Sequence, residues 1–363
     1  MTLNKNIKLL ESKNFTMFDI VIIDEVSKAT PPELLNIMSL GKKVILVGDH
    51  RQLPPVWGYN EEKGFKDHIN DDNELTKENY SKFEKMVNAS IFKEYFEQAD
   101  NSIKESLLTQ YRMHTQIMNI VNCFYEGKLK QGIKKPDNER NHGINIKLPY
   151  EVIAQNKHTV WIDTTYDESG EFNKEDDSGK SRSNKLEVDV IEKMLEKLNE
   201  KYLELGYGNS RRKEVGVIAF YGAQVGLLKK TIGGYKKIMD RFQALKVEIN
   251  TVDKYQGKEK DIIIVSMTRN KKINPKYKKV GSKTSFVAQF ERINVAFSRA
   301  KELLIIVGAK EMFEDYEVKL PKMDKEGYIL KYVYKDIINQ IKEYNGFYTI
   351  KELKGLHYDD KKS

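Results

Sequence analysis

Residues 18–25 of the chain read FDIVIIDE, an apolar run that ends in Asp24 and Glu25. Similar short runs recur along the chain, at 43–49, 159–162, 215–220, 247–250, 262–265 and 303–307. Apolar side chains on successive positions are typical of strands that are buried on both faces of a parallel sheet. Between the runs lie segments with apolar residues at helical spacing, including 103–124, 187–205 and 328–344. This alternation predicts an α/β fold in which parallel sheets are flanked by helices.

Length and composition limit the class of protein. The chain has 363 residues, which suggests about two domains. Its net charge of +8 permits a nucleic-acid partner without proving one. A single cysteine, Cys123, excludes an intramolecular disulfide and any cysteine-based zinc or iron–sulfur module. Since the sequence contains neither a long apolar run nor a signal-peptide pattern, we expect a soluble, cytoplasmic protein with no membrane partner.

Polar residues follow the first two predicted strands. Open parallel sheets bind ligands at the carboxyl ends of their strands, so we expect the active residues there. Asp24 is suited to hold Mg²⁺ and Glu25 to polarise an attacking water. The second strand ends in GDHRQLPP at 48–55, where Gln52 can donate to a phosphate or a water. Each segment alone also fits an ordinary solvated turn, but the pair favours a phosphate site.

The same segments resemble motifs II and III of superfamily 1 helicases. The most similar subgroup contains the nonsense-mediated-decay RNA helicases and the replication helicase–nucleases. Further motifs follow in the subgroup's order: QYRMH at 110–114, AFYGAQ at 219–224, TVDKYQGKEKD at 251–261 and RINVAFSRAK at 292–301. The resemblance extends over residues 18–308 and implies the RecA-like topology of P-loop NTPases.

This resemblance implies ATP and Mg²⁺ as cofactors and a role for each matching residue. Asp24 would bind Mg²⁺, Glu25 would act as the catalytic base, and Gln52 would sense the γ-phosphate. Arginine fingers would come from the second lobe and neutralise charge on the transferred phosphoryl group. The remaining roles are Arg112 and Arg299 as these fingers, Tyr111 stacking on the adenine, Gly257 and Glu259 contacting the nucleotide, and Tyr221 and Thr251 facing nucleic acid.

Each of the second-lobe residues also has an ordinary structural explanation. Arg112 fits an exposed face of the helix expected over 103–124. Arg299 fits a salt bridge with Glu302, and Tyr111 fits a place in the core. The six motifs in register favour the functional roles over these alternatives.

A phosphate loop of the form GxxxxGK[ST] does not occur in the sequence, although the family carries one upstream of its Asp-Glu strand. The resemblance therefore implies the C-terminal part of a helicase. We expect a partial first RecA-like lobe over 1–101, a complete second lobe over 102–308, and a C-terminal helix and polar tail over 309–363. The missing N-terminal helicase segment would be a partner, in cis or in trans. A partial sheet would expose an edge and an apolar face.

Positive charge is concentrated in residues 254–283. This segment holds ten Lys and Arg residues, Lys271 and Lys272 among them, against Glu259 and Asp261. Such density suits binding to the phosphate backbone of a single strand, which does not depend on sequence. A solvated lysine-rich loop explains the composition equally well.

The sequence thus predicts part of an ATP-dependent DNA or RNA helicase that translocates along and unwinds nucleic acid. An alternative is a non-catalytic module, derived from such a helicase, that binds nucleic acid or a protein partner. A nuclease is disfavoured, because Glu126 and Lys128 have no evident acidic partner upstream. The motifs do not distinguish DNA from RNA.

Overall fold

The computed structural model describes residues 17–54, 91–148, 150–208, 210–271, 289–323 and 327–353. The chain divides into two compact units, 1–106 and 107–363. This division falls a few residues beyond the boundary expected at 101, and the partial and complete lobes stay predictions. The first unit contains β1 (Phe18–Ile23), α1 (Pro31–Met38), β2 (Gly41–Leu46) and α2 (Ile91–Gln98).

In the first unit, β1 and β2 pair in parallel, from Phe18 opposite Gly41 to Ile23 opposite Leu46. The inner face of this pair packs against α1 and α2 through Leu34 and Phe92. The other face exposes large apolar side chains, 47–66% accessible, which are Phe18, Ile20, Ile22 and Ile45. The described part of this unit therefore has the open apolar face that the sequence predicts.

The second unit is built mainly of alternating strands and helices. In chain order its elements are β3 (Thr109–Gln110), α3 (Thr115–Asn122), β4 (Lys130–Gln131), α4 (Pro136–Glu139), β5 (Ile146–Leu148), β6 (Tyr150–Ile153), β7 (Thr159–Asp163), α5 (Lys185–Glu204), β8 (Lys213–Ala219), α6 (Gly222–Ile232), α7 (Tyr235–Arg241), β9 (Leu245–Thr251), β10 (Lys260–Ser266), α8 (Phe290–Phe297), β11 (Ala300–Gly308), α9 (Lys310–Phe313), β12 (Val318–Pro321), β13 (Tyr328–Lys331), α10 (Val333–Glu343) and β14 (Phe347–Thr349).

Six strands form one sheet in the order β14-β7-β11-β10-β8-β9, and every neighbouring pair is parallel. Helices α5, α6 and α7 cover one face, and α3, α8 and α10 pack on the other. The four residues 262–265 of β10 are fully buried, because both faces of this strand lie against apolar side chains. The predicted α/β class with flanked parallel sheets is confirmed.

The helix predicted over 103–124 forms only at Thr115–Asn122. Ahead of it, Gln110 accepts hydrogen bonds from the amides of Arg112 and Met113, at 2.9 and 2.8 Å. His114 caps the helix by accepting from the Gln116 amide at 3.2 Å. These side-chain bonds replace helical ones and force a turn, so the prediction was wrong for residues 103–114.

The helix predicted over 328–344 begins later, at Val333. Residues 328–331 instead form β13, which pairs antiparallel with β12. Exposed and half-buried residues alternate along β13, as a two-residue repeat requires. By contrast, the helix predicted over 187–205 is confirmed as α5.

In the part of the chain that the structure describes, no helix is both long and apolar enough to cross a membrane. Most of the basic segment beyond Lys271 lies outside the described residues.

Three buried histidines form a cluster beside the start of α3. The rings of His114 and His158 stack with centroids 3.3 Å apart, and His142 meets His158 edge-on at 4.9 Å. His158 donates from Nδ1 to the Glu302 carbonyl at 2.7 Å, and His142 donates from Nε2 to the Lys157 carbonyl at 3.0 Å. Each ring is therefore held in one neutral tautomer.

Burial disfavours the charged form of these rings. It lowers the pKa of His142 to about 3 and that of His158 to about 4, and each is lowered further by a neighbouring histidine. Burial also lowers the pKa of His114, although Asp137 opposes this. The folded second unit thus binds fewer protons than the unfolded chain, whose histidines titrate near pH 6.5.

We expect the second unit to lose roughly 2–4 kcal/mol of stability between pH 7 and pH 5, because the unfolded state takes up protons first. Urea denaturation at several pH values measures this loss. The double variant His142→Gln, His158→Asn keeps both donated hydrogen bonds and should flatten the dependence. Lys147→Gln, at an exposed position of the same unit, should leave it unchanged. An equal slope in the double variant and the wild type would contradict the assignment.

Candidate nucleotide and nucleic-acid sites

Asp24 and Glu25 lie directly after β1 in the first unit. The backbone turns sharply at Glu25, with φ 56° and ψ 33°, in the left-handed region. Such a conformation costs a non-glycine residue about 1–2 kcal/mol. The Glu25 amide donates to Asp24 Oδ1 at 2.8 Å, and both residues are exposed. The turn therefore presents two adjacent carboxylates at the carboxyl end of β1.

Gln52 lies on the loop after β2, which Asp49 organises. Asp49 Oδ2 accepts from Gln52 Nε2 at 3.0 Å, and the Asp49 amide donates to Ser27 Oγ at 2.9 Å. Gly48 packs tightly against the turn after β1, since a Cβ there would lie 2.7 Å from Val26 Cγ2. The two predicted segments of the first unit are thus joined through Ser27 and Asp49.

Arg112 and Glu259 of the second unit form an ion pair, with Nε 2.7 Å from Oε2. Arg112 Nη1 also donates to the Ser298 carbonyl at 3.2 Å. Arg112 lies on a turn and not on a helix face, which excludes the first alternative. These contacts gather three separate predicted motifs at one place.

Arg299 is only 2% exposed. Its guanidinium donates to the carbonyls of Val295 and Lys258, at 3.1 and 3.3 Å, and to Ser298 Oγ at 3.0 Å. The salt bridge considered with Glu302 is not observed, because Glu302 pairs with Lys213. A phosphate would have to replace at least one of these bonds to reach Arg299.

Tyr111 is 66% exposed, which excludes a place in the core. Its ring lies on Gly132, where an added Cβ would stand 2.5 Å from Tyr111 Cε1. The missing side chain at Gly132 thus leaves room for the Tyr111 ring, most of which stays accessible to solvent.

The residues predicted to face nucleic acid lie elsewhere in the second unit. Tyr221 follows β8 and is buried, and its hydroxyl accepts from Arg269 at 3.2 Å. Thr251 ends β9 and is half-buried, whereas Lys271, beyond β10, is exposed. Lys272 lies outside the described residues.

One short segment, residues 252–259, joins Thr251 to β10. Asp253 pairs with Arg292 of α8 through two bonds of 2.9 Å, and Tyr255 donates to the Glu248 carbonyl. Gly257 then takes a positive φ of 77°, a conformation that favours glycine. The segment is anchored at its start and turns just before Glu259.

Comparison with known protein families identifies the family of this chain. A family described as an AAA domain matches residues 87–311, and a second family with the same description matches residues 3–57. The chain belongs to the AAA domain family. Its relatives confirm the resemblance seen in the motifs, which is to superfamily 1 helicases of the replication helicase–nuclease subgroup.

Two relatives are informative for this AAA domain protein. The DNA polymerase alpha-associated DNA helicase A of Saccharomyces cerevisiae is 29% identical over 316 residues, which is 84% of this chain and 40% of the relative. The human DNA replication ATP-dependent helicase/nuclease DNA2 is 29% identical over 305 residues, 80% of this chain and 25% of the relative. The chain therefore spans well under half the length of either relative.

Among solved structures, the arterivirus nonstructural protein 10 helicase is similar to this chain with 13% identity and a TM-score of 0.32. The similarity covers 79% of this chain and 38% of the helicase chain. That likeness is too weak to add to the fold described above.

The second-unit motifs of this AAA domain protein occupy two opposite edges of the large sheet. Arg112, Glu259 and Arg299 gather at the amino-terminal edge, where β10 and β11 begin. Tyr221 and Thr251 lie at the carboxyl-terminal edge, about 20 Å away along a seven-residue strand. The first group thus lies away from the carboxyl ends, where most of the active residues were expected, and its functional role stays a prediction. That rule describes ligands bound within one open sheet, whereas these residues precede their strands.

One group of potential metal ligands occurs in the described residues. Atoms of His114, Asp137 and His158 lie within 4.8 Å of one another. However, the two rings are nearly parallel, at 13°, so their nitrogen lone pairs do not converge on one point. His114 Nδ1 also accepts from the Gln116 amide, which leaves the Nε2 proton for Asp137. The arrangement does not suit a metal ion.

Glu187, the first residue of the helix predicted over 187–205, was not among the predicted site residues. It is fully buried at the start of α5, where Oε2 accepts from Ser266 Oγ at 2.5 Å and from the Thr268 amide at 2.8 Å. Gln224 Nε2 donates to the same Ser266 hydroxyl at 2.9 Å. Glu187 thus fixes the end of β10, from which the chain continues to Lys271.

Burial raises the pKa of Glu187 to about 8, although both donors oppose the shift. The unfolded carboxyl ionises near pH 4.5, so the wild type loses stability as the pH rises toward 8. Glu187→Gln cannot ionise and keeps an acceptor oxygen. We expect this variant to gain roughly 3 kcal/mol relative to wild type between pH 5 and pH 8, measured by urea denaturation. Glu171→Gln, an exposed control, should track the wild type. A constant difference between Glu187→Gln and wild type would refute the raised pKa.

Proposed function

We propose that the chain is part of an ATP-dependent nucleic-acid helicase, in which ATP hydrolysis drives translocation and unwinding. One observation carries this proposal. Arg112, Glu259 and Arg299 come from three different motifs and lie together at one edge of the sheet. Two cations and a carboxylate on independent segments are suited to bind and sense a nucleotide. The relatives are named as DNA helicases, which supports the same conclusion.

In this proposal the first unit provides the hydrolytic groups. Asp24 and Glu25 are exposed carboxylates, and oxygen ligands of this kind fit Mg²⁺. Asp24 would hold the ion. When Mg²⁺ is bound together with ATP, it neutralises part of the phosphate charge. Glu25 would accept a proton from the attacking water, and Gln52, held by Asp49, would sense the γ-phosphate.

The second unit would provide the nucleotide clamp. Tyr111 offers an exposed ring to the adenine, and Glu259 and Gly257 would lie near the sugar and phosphates. Arg112 and Arg299 would act as arginine fingers once they exchange their present partners for phosphate oxygens.

The partners in this proposal are a single strand of DNA or RNA and a segment that supplies a phosphate loop. Tyr221, Thr251, Lys271 and Lys272 would contact the strand, mainly through its sugar–phosphate backbone. A phosphate loop, in cis or in trans, belongs to the proposal because no such motif occurs in residues 1–363.

We expect the full chain, combined with a segment that supplies the phosphate loop, to hydrolyse ATP at a rate that single-stranded DNA or RNA increases, measured by phosphate release. Glu25→Gln should lower that rate by about 100-fold or more, because it removes the base. Arg299→Ala should lower it by about 1,000-fold, because it removes a finger. Glu171→Gln, on an exposed loop, serves as the matched control and should keep the wild-type rate.

Absence of hydrolysis with strand binding retained would contradict catalysis by this chain. It would support the alternative, a non-catalytic module that binds nucleic acid or a protein partner. Hydrolysis that persists in Glu25→Gln would refute the role of that residue.

A further inference from the structure

Arg140 reaches back from the end of α4 to the turn that carries Tyr111 and Arg112. Its Nε donates to the Arg112 carbonyl at 2.7 Å, and its Nη2 donates to the Tyr111 carbonyl at 3.0 Å. The third nitrogen, Nη1, donates to the Glu139 carbonyl at 3.0 Å. One guanidinium therefore binds two consecutive carbonyls of a predicted nucleotide-binding motif.

Side chains, and not secondary structure, hold this turn. Gln110 Oε1 accepts from the amides of Arg112 and Met113, and Gln110 Nε2 donates to the Met113 carbonyl at 3.0 Å. Gln110 thus satisfies the amides, while Arg140 satisfies the carbonyls on the other side. Without these donors the carbonyls would turn to hydrogen-bond with water. The backbone dihedral angles of the turn therefore depend on Gln110 and Arg140.

The turn determines where two functional side chains lie. The Tyr111 ring packs against Gly132 and is largely exposed, and Arg112 reaches Glu259. Arg112 has its own side-chain anchors at Glu259 and the Ser298 carbonyl. Within the described part of the chain, the Tyr111 hydroxyl forms no comparable polar contact, so the position of the ring follows mainly from the main chain and from packing on Gly132.

We propose that Arg140 is a positioning residue for nucleotide binding, which fixes Tyr111 in the orientation that stacks on a purine base. This inference rests on the proposed function and names a residue that the motifs do not contain. Arg140 acts through the main chain, because all three of its nitrogens already donate to carbonyls. A lysine cannot reproduce the effect, since a single ammonium lacks the planar fork that spans two neighbouring carbonyls.

The first test measures order in the turn and needs no nucleotide. Hydrogen exchange of the full chain, followed by mass spectrometry of a peptide covering 108–116, should show about 10-fold faster exchange in Arg140→Ala and in Arg140→Lys. The matched control is Arg211→Ala, an exposed arginine of the same unit that stacks on Tyr207. Unchanged exchange in both Arg140 variants would overturn the proposal.

The second test measures ATP binding by the full chain with a fluorescent ATP derivative. Arg140→Ala should bind about 5- to 20-fold more weakly, as should Tyr111→Ala, because each removes part of the stacking contact. The double variant should bind no more weakly than Tyr111→Ala alone, since Arg140 acts through that ring. Where turnover is measurable, the KM for ATP should rise while kcat changes less than about 3-fold, because Arg112 keeps its separate anchors.

The outcomes distinguish this inference from the proposed function. A wild-type chain that binds ATP, with equal affinity in Arg140→Ala, would overturn the role of Arg140 and leave the proposed function intact. Additive losses in the double variant would also overturn it, because they would indicate an independent contact. If the wild-type chain binds no ATP, both the proposed nucleotide-binding function and the positioning role of Arg140 are refuted.

Discussion

Helices cover both faces of the six-stranded parallel sheet, and this burial leaves only the ends of the strands for polar chemistry. The strands are too apolar to hold charge in their middle, as the fully buried residues 262–265 show. Ionised groups placed there would lose their hydration without a partner. Catalytic and binding side chains must therefore sit where a strand begins or ends. The separation of arginine and carboxylate groups from Tyr221 and Thr251 follows from this constraint.

Main-chain carbonyls are the common partner of the important arginines. The guanidinium groups of Arg299 and Arg140 donate mainly to backbone oxygens. Arg112 donates to the Glu259 carboxylate and to the Ser298 carbonyl. A carbonyl holds a cation more loosely than a carboxylate does, because it carries no net charge. Such bonds fix the orientation of the guanidinium group.

The sequence predicted correctly those strands and helices that depend on the local spacing of apolar residues. The strands and α5 follow from apolar residues at fixed spacing, since Val188, Ile191 and Leu195 are all fully buried. The pattern failed at 103–114, because Gln110 forms bonds that compete with a helix and that apolar periodicity does not register. The candidate site residues came from motif resemblance, and their roles stay predictions. Arg140 and the histidine cluster could not be found in advance, because their partners are distant in sequence and meet only in the folded unit.

The segment between Thr251 and β10 is one of several connections that join the carboxyl-terminal edge of the sheet to its amino-terminal edge. It makes this crossing in eight residues, 252–259, and contacts of Asp253 and Tyr255 anchor it. A connection this short and anchored cannot accommodate an added or deleted residue without moving its ends. Length variation should therefore be tolerated in exposed stretches such as 176–180 and rejected in 252–259, where one inserted residue would disturb both edges together.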